Sequence, residues 1–257
     1  SPIQGISETL NIDYRTPKTL KDNHEEYEFL KELNADLAIV CAYGQIIPEN
    51  FLNLTKKGFV NIHASILPSW RGAAPIQRSI MNLDPETGIS IMKIKKELDS
   101  GPVSNIYKIK IDQNQNAQEI SEKLSALAAE KILDNVDDIL EDKAKFIDQD
   151  HSKATYAKKI DKEESRIDWD EDASKIIGKI NGLFPSPGAS FSFNGERYKI
   201  LKAEIGNGIG QVGEIISNQL EVACNKNQSI KILEIQRQGK RPQKISEFML
   251  GSQIKKG

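Results

Sequence analysis

Ala35-Asp36-Leu37-Ala38-Ile39-Val40-Cys41-Ala42-Tyr43 is an apolar run of strand length. A run with so little polar alternation reads as a parallel strand covered on both faces, with Cys41 a buried small hydrophobe inside it. Before it, Lys21 to Leu33 carries Tyr27, Leu30 and Leu33 at helical spacing. After a helical turn over Pro48 to Leu54 comes a second strand, Gly58-Phe59-Val60-Asn61-Ile62-His63. Ala73 to Met81 has helical composition, Gly88 to Ile94 and Val103 to Ile111 read as strands, and Ala117 to Leu140 as a long amphipathic helix. Its apolar face collects Ile120, Leu124, Leu127, Ile132, Val136 and Ile139. Strands alternating with helices predict an open α/β sheet.

The remainder follows a different pattern. A charged stretch runs from Asp148 to Asp172, then a short helix spans Ala173 to Leu183, and Phe184-Pro185-Ser186-Pro187-Gly188 breaks it. Asn194-Gly195 between Ala189–Phe193 and Arg197–Ala203 predicts a hairpin, because that pair supplies the two positive φ angles of a tight turn. With Val212–Ile216, Leu220–Ala223 and Ile230–Gln236 this predicts a small β-barrel of about five strands. The expected division is a first domain over 1–150, a linker over 151–172 and a second domain over 173–257. Residues 1–155 hold 18 basic and 24 acidic side chains, whereas 156–257 hold 17 and 13. The second module therefore suits a polyanion better than the first.

Composition excludes several classes. Of 257 residues, two are cysteines, far apart and without a Cys/His cluster, so neither a disulfide framework nor a metal site is expected. The longest apolar stretch falls far short of the roughly 20 residues of a membrane-spanning helix. A cytoplasmic monomer is expected. The opening residues Ser1-Pro2-Ile3-Gln4 read as the middle of a loop.

The chemistry concentrates around one strand end. Alternation puts Asn61 and His63 on one face of their strand, at the carboxyl end where open α/β sheets bind ligands. An amide and an imidazole aimed at one point can hold an oxyanion and move a proton, although a strand-end histidine can equally serve a backbone carbonyl. Ser65-Ile66-Leu67-Pro68-Ser69-Trp70-Arg71-Gly72 then forms a turn-rich loop, and Glu97-Leu98-Asp99-Ser100-Gly101-Pro102 places an acid beside a Gly-Pro turn between two strands. His24 and His151 lie in charged, surface-like contexts. Trp169 reads as a packing residue at the domain junction.

The segments NIHASILPSWRGAAPIQRSI, ETGISIMKIKKELDSGPV, AYGQIIP, TYAKKIDKEESRIDW and FPSPGA together resemble the folate-dependent formyltransferases over nearly the whole chain. They are most similar to the branch that formylates initiator methionyl-tRNA in translation initiation. The resemblance implies a mostly parallel, Rossmann-like sheet, incomplete at its N-terminus, followed by an OB-like tRNA-binding barrel. It implies 10-formyltetrahydrofolate as co-substrate, with Asn61, His63 and Asp99 as catalytic residues around the formyl group. His63, supported by Asp99, and the Asn61 amide would hold the oxyanion, while Asp99 would take the proton of the attacking amine. Tyr43, Gly44, Gln45 and Ile47 match the stretch lining the pterin pocket, and Ser65, Leu67 and Pro68 the loop beside the folate. Arg71 and Arg78 near the site, with Arg237, Lys240 and Arg241 in the tail, are the expected tRNA contacts. The same trio would also serve a sugar-nucleotide N-formyltransferase or a formyltetrahydrofolate hydrolase, and a non-catalytic binding fragment is the third reading. About fifty residues of the family's opening strand, helix and basic loop are expected to be missing, which would expose apolar edges of neighbouring strands.

Overall fold

The computed structural model describes residues 2–252 and 254. The opening is helical where a loop was expected: α1 spans Pro2–Leu10, with proline in the first turn, where its missing N–H costs nothing. Helix α2 (His24–Glu32) starts at Asn23, whose side chain accepts the Glu26 N–H at 3.2 Å. Strand β1 (Ala38–Val40) runs parallel to β2 (Phe59–His63), with Val40 opposite Asn61, and the short helix α3 (Glu49–Leu52) lies between them in sequence. β1 is the edge of its sheet, Ile39 stays 46% exposed and Cys41 is exposed. The expectation of a strand covered on both faces is thereby corrected. Apolar composition reports what a side chain prefers, whereas sheet position decides what covers it.

After β2 the chain forms β3 (Arg71–Gly72), α4 (Pro75–Met81), β4 (Glu86–Lys93), β5 (Val103–Lys110) and α5 (Ala117–Leu140). The sheet order is β1-β2-β4-β5, and its direction is mixed rather than mostly parallel: β2/β4 and β4/β5 are antiparallel. Two connections explain this. The nine residues from 94 to 102 are too few for a parallel crossover and close a hairpin. Between β2 and β4, residues 64–72 form the site loop and α4 has only seven residues, so the chain re-enters the sheet from the end it left. One sheet face is covered by α5, whose Ile120, Leu124 and Ala128 pack on Ile89, Ile62 and Ile109, and whose Ile139 packs on Val60 and Ile91. Alternation then leaves Asn61 and His63 on the opposite face.

The segment expected as a linker is a structured strap. Its strand β6 (Tyr156–Ala157) pairs in parallel with β3. Arg78 of α4 clamps it, donating to the carbonyls of Lys158 and Lys159 and, through both terminal nitrogens, to the Glu164 carboxylate. That guanidinium holds the Glu164 carboxyl down at about 2. A carboxyl depressed in the folded state contributes stability above its ordinary value near 4.5, which is lost as pH falls toward 2. The pair is therefore expected to cost about 1–2 kcal/mol between pH 4.5 and 2, less than the full shift implies because Glu164 is 31% exposed. Urea unfolding at pH 7 and pH 3 checks this: the parent should lose more than Glu164→Gln over that range, and equal losses would exclude it.

The second unit begins with α6 (Ala173–Gly182) and continues as β7 (Ser190–Phe193), β8 (Glu196–Gly206), β9 (Glu221–Cys224), β10 (Gln228–Arg237), β11 (Gln243–Lys244) and α7 (Ile245–Gly251). The Asn194-Gly195 turn joins β7 to β8, with Phe193 opposite Glu196. Residues 212–216, expected as a strand, contribute one bridge, Ile215 to Val222. The sheet runs β11-β10-β8-β7, with β9 beside β11 along the same edge of β10. It is a curled antiparallel half-barrel and not a closed barrel, because α6 fills its concave side: Ile176 and Ile180 are fully buried with Ile200, Ile230, Ile232 and Ile235.

The two units meet where α4 crosses α6. Gly178 and Gly182, one turn apart, face α4 so closely that a Cβ at Gly178 would stand 2.8 Å from the Leu83 side chain. One at Gly182 would stand 2.6 Å from Met81 Cγ and 2.9 Å from the Gln77 carbonyl oxygen. The Asn181 amide adds a hydrogen bond to the Gln113 carbonyl at 2.9 Å.

Candidate active site

β2 ends in the site. His63 is buried and Asn61 half-buried, and among the described residues the Asn61 amide has no hydrogen-bond partner, so it is available to a ligand. His63 Nε2 lies 3.0 Å from the Trp70 carbonyl oxygen. A carbonyl only accepts, so Nε2 carries the proton and Nδ1 is the nitrogen free to gain or lose one. Nδ1 faces Asp99 Oδ2 at 3.6 Å. That same oxygen accepts the Gly72 N–H at 2.8 Å. Two of the three predicted catalytic residues therefore stand in direct electrostatic contact, and the third shares a strand face with His63.

The loop between β2 and α4 is held rigidly. Ser65 is fully buried and its hydroxyl donates to the Ser69 carbonyl at 2.6 Å, while Ser90 of β4 donates to the Ser65 carbonyl and accepts the Leu67 N–H. Leu67 is buried, and the Leu67-Pro68 bond is cis. Ser65, Leu67 and Pro68 thus build a wall beside the site, with the side chains of Ser65 and Leu67 committed inward. Trp70 takes a positive φ of 62° and is tied down by its N–H to Thr155 Oγ1 and its indole N–H to Asp84. Tyr43, Gly44 and Gln45 form an exposed loop beyond β1, with Ile47 half-buried; the Gln45 amide reaches the Lys18 carbonyl.

The Asp99 turn is fixed from behind. Asp99 adopts a positive φ of 45°. Gln149 is buried, and its Nε2 donates to the carbonyls of Asp99 at 2.9 Å and Gly101 at 2.7 Å. Its Oε1 accepts from Arg71 Nε at 3.1 Å and Nη2 at 2.7 Å. Arg71 also donates to Nδ1 of the exposed His151 at 3.3 Å. Arg71 is only 3% exposed, so the expectation of a tRNA contact is corrected: its guanidinium is consumed inside the protein. Arg78 is corrected likewise, since its side chain is spent on Glu164 and the strap. Arg237 pairs with Glu196, whereas the Lys240 and Arg241 side chains are exposed and form no side-chain hydrogen bond or close ion pair among the described residues, with Lys240 acting on the Glu196 carboxylate at longer range. Gln149 escaped the sequence reading because it sits in a charged stretch with no local pattern, and its partners lie 48 to 78 positions away.

A cleft of about 500 Å³ lies beside the Asp99 turn, lined in part by Leu52, Phe59, Ile94, Ser100 and His151. A second of about 490 Å³ lies beside Trp169 and Val212 in the second unit, and neither is lined by a predicted site residue. Trp169 packs edge-on against Phe191 at 5.9 Å, within the second unit's core.

Two family descriptions match the chain: formyl transferase over residues 4–136, and formyl transferase, C-terminal domain, over 159–253. The methionyl-tRNA formyltransferase of Pelagibacter ubique is 66% identical over all of this chain and 83% of its own length. That of Mesorhizobium japonicum is 38% identical over the whole chain and 84% of its own. Among solved structures, WlaRD, a sugar 3N-formyl transferase crystallised in the presence of dTDP and 5-N-formyl-THF, superposes with a TM-score of 0.71 at 20% identity, covering 93% of this chain and 82% of that one. A likeness at that identity bears on the fold, and the two sequence relatives carry the rest. The chain belongs to the formyl transferase family and, within it, to the methionyl-tRNA formyltransferases.

Proposed function

We propose that this chain, acting as a cytoplasmic monomer, transfers the formyl group of 10-formyltetrahydrofolate to the α-amino group of initiator methionyl-tRNA. Asn61, His63 and Asp99 carry the chemistry. The observation that supports these roles best is the single carboxylate oxygen, Asp99 Oδ2, set against both His63 Nδ1 and the Gly72 N–H at the end of β2.

The neutral amine attacks the formyl carbon and the carbonyl oxygen becomes an oxyanion. The unpartnered Asn61 amide is the donor aimed at it, an interaction of a kind typically worth about 2.7–4 kcal/mol. Asp99 accepts the proton released by the amine, directly or through water. Collapse of the intermediate breaks the bond from carbon to N10, which takes a proton in turn, so the reaction is neutral overall. His63 sits beside Asp99 with its exchangeable nitrogen turned toward the carboxylate, and can stabilise it charged or relay the proton. An α-amine has a reference value of about 7.7–8, which the neighbouring ester lowers further, so a sizeable fraction is already neutral and nucleophilic near neutrality and positioning dominates. The folate is received by the backbone of Tyr43, Gly44, Gln45 and Ile47 and by the wall of Ser65, Leu67 and Pro68. Lys240 and Arg241, on the loop after β10, meet tRNA phosphates, with Arg237 joining once released from Glu196.

The test offers 10-formyltetrahydrofolate with either methionyl-tRNA or a nucleotide-linked amino sugar. Formyl transfer to the tRNA alone is expected; transfer to the sugar alone overturns the acceptor. In the same preparation, replacing Lys240 and Arg241 together with Gln should flatten the salt dependence of tRNA affinity by about 1–2 log units per log unit of salt. An unchanged slope removes the loop from the tRNA site.

A further inference from the structure

Asp99 must present one oxygen to two partners while its backbone holds a positive φ, and within its own turn only Ser100 closes back on Glu97. The Ser100 hydroxyl and N–H both turn back to the Glu97 carbonyl, leaving the carbonyls of Asp99 and Gly101 facing inward. Both are bonded by one buried side-chain amide, Gln149. The orientation of that amide is unambiguous. Arg71 is a donor only, so the oxygen of Gln149 faces it and the nitrogen faces the two carbonyls. Arg71 is in turn placed by β3, whose Arg71 N–H bonds the Thr155 carbonyl at 2.9 Å. The next residue on β3 is Gly72, which donates to the Asp99 carboxylate itself. One short strand therefore grips Asp99 twice, through a backbone N–H at its carboxylate and through Arg71 and Gln149 at its main chain.

We infer that Gln149 is a positioning residue for formyl transfer: its buried amide, oriented by Arg71, locks the Asp99 turn so that the carboxylate stays aligned with His63 Nδ1. This rests on the proposed role of Asp99. A carboxylate displaced by about 1 Å loses reaction rate without losing much ligand affinity, because alignment matters most in the transition state.

Gln149→Glu isolates the claim. It keeps the volume and the Arg71 contact and replaces the donor facing the two carbonyls with a second acceptor. Expected is a fall in kcat for methionyl-tRNA formylation of about 10–100-fold, with the KM for 10-formyltetrahydrofolate within threefold of the parent and an unchanged melting temperature or a fall of a few degrees. A purely structural role would not make the effect depend on Asp99. In an Asp99→Asn background, Gln149→Glu is therefore expected to cost less than threefold further. An active parent with an equally active Gln149→Glu variant overturns the inference alone, as does full additivity with Asp99→Asn. If Gln149→Glu does not fold, Gln149→Met replaces it, and unfolding of both assigns the residue to stability and overturns the inference. A folded parent that formylates nothing overturns the proposed function, and the inference with it.

Discussion

Asp99→Asn is expected to lower single-turnover formyl transfer by about 10²–10⁴-fold, the range typical of losing a positioned acid–base group, while leaving 10-formyltetrahydrofolate affinity within a fewfold of the parent. The substitution is conservative for the fold. An asparagine oxygen still accepts the Gly72 N–H that Asp99 Oδ2 accepts at 2.8 Å, and the carbonyl bond to Gln149 belongs to the backbone. What disappears is the negative charge facing His63 Nδ1 and the carboxylate that would take the proton from the amine. Because the Trp70 carbonyl fixes the proton on Nε2, His63 can compensate only through Nδ1, which then faces a neutral amide. Rapid-quench measurement with saturating folate separates this from binding. A rate within tenfold of the parent would remove Asp99 from proton transfer.

Gly101→Ala is expected to damage stability and activity together. A Cβ on Gly101 would lie well inside the van der Waals shell of the Lys93 carbonyl oxygen and close to its carbon. These are backbone atoms of β4 and cannot rotate away. The adjacent Lys93 N–H bonds the Pro102 carbonyl at 2.9 Å, and Gly101's own carbonyl accepts from Gln149, so any shift strains the start of β5 and the Asp99 turn at once. About 2–4 kcal/mol of lost stability is expected, in the range of overpacking with broken buried hydrogen bonds. Turnover should fall even where the variant remains folded. Urea unfolding and turnover on one preparation check both, and a change under about 0.5 kcal/mol would show that the turn has room to move.

The readable and unreadable parts of this chain divide by distance along it. The Asn194-Gly195 hairpin and the 24-residue α5 follow from local turn chemistry and helical spacing, and the structure places the first in the half-barrel and the second on the first sheet. Strand alternation puts Asn61 and His63 on one face, but what joined Asp99 to them was the resemblance to the formyltransferases, since an acid beside a Gly-Pro turn carries no signal of its own. Ile39 was misread because a run of apolar side chains does not say whether another strand lies beside it. Arg71 was misread because a cation next to a site loop looks like a phosphate contact until its partner is known. That partner, Gln149, is 78 residues away and has no periodicity of its own. Strand direction was partly legible, since the nine residues from 94 to 102 are too few for a parallel crossover, whereas the β2/β4 direction depends on how short α4 is.

The α4–α6 crossing bears on which nucleic acid can be used. Flexible side chains at a joint act like a cushion, and two modules separated by one can breathe apart. At Gly178 and Gly182 there is little cushion, because the α6 backbone lies directly against a Leu83 methyl, Met81 Cγ and the carbonyls of Gln77, Ile80 and Met81. If the reaction is as proposed, the gap between the Asp99 carboxylate and the Lys240-Arg241 loop is then a caliper setting, and an acceptor arm is gauged by its length before any base is read. A tRNA whose amino acid hangs one base pair nearer to or farther from the gripped phosphates would be rejected on reach alone.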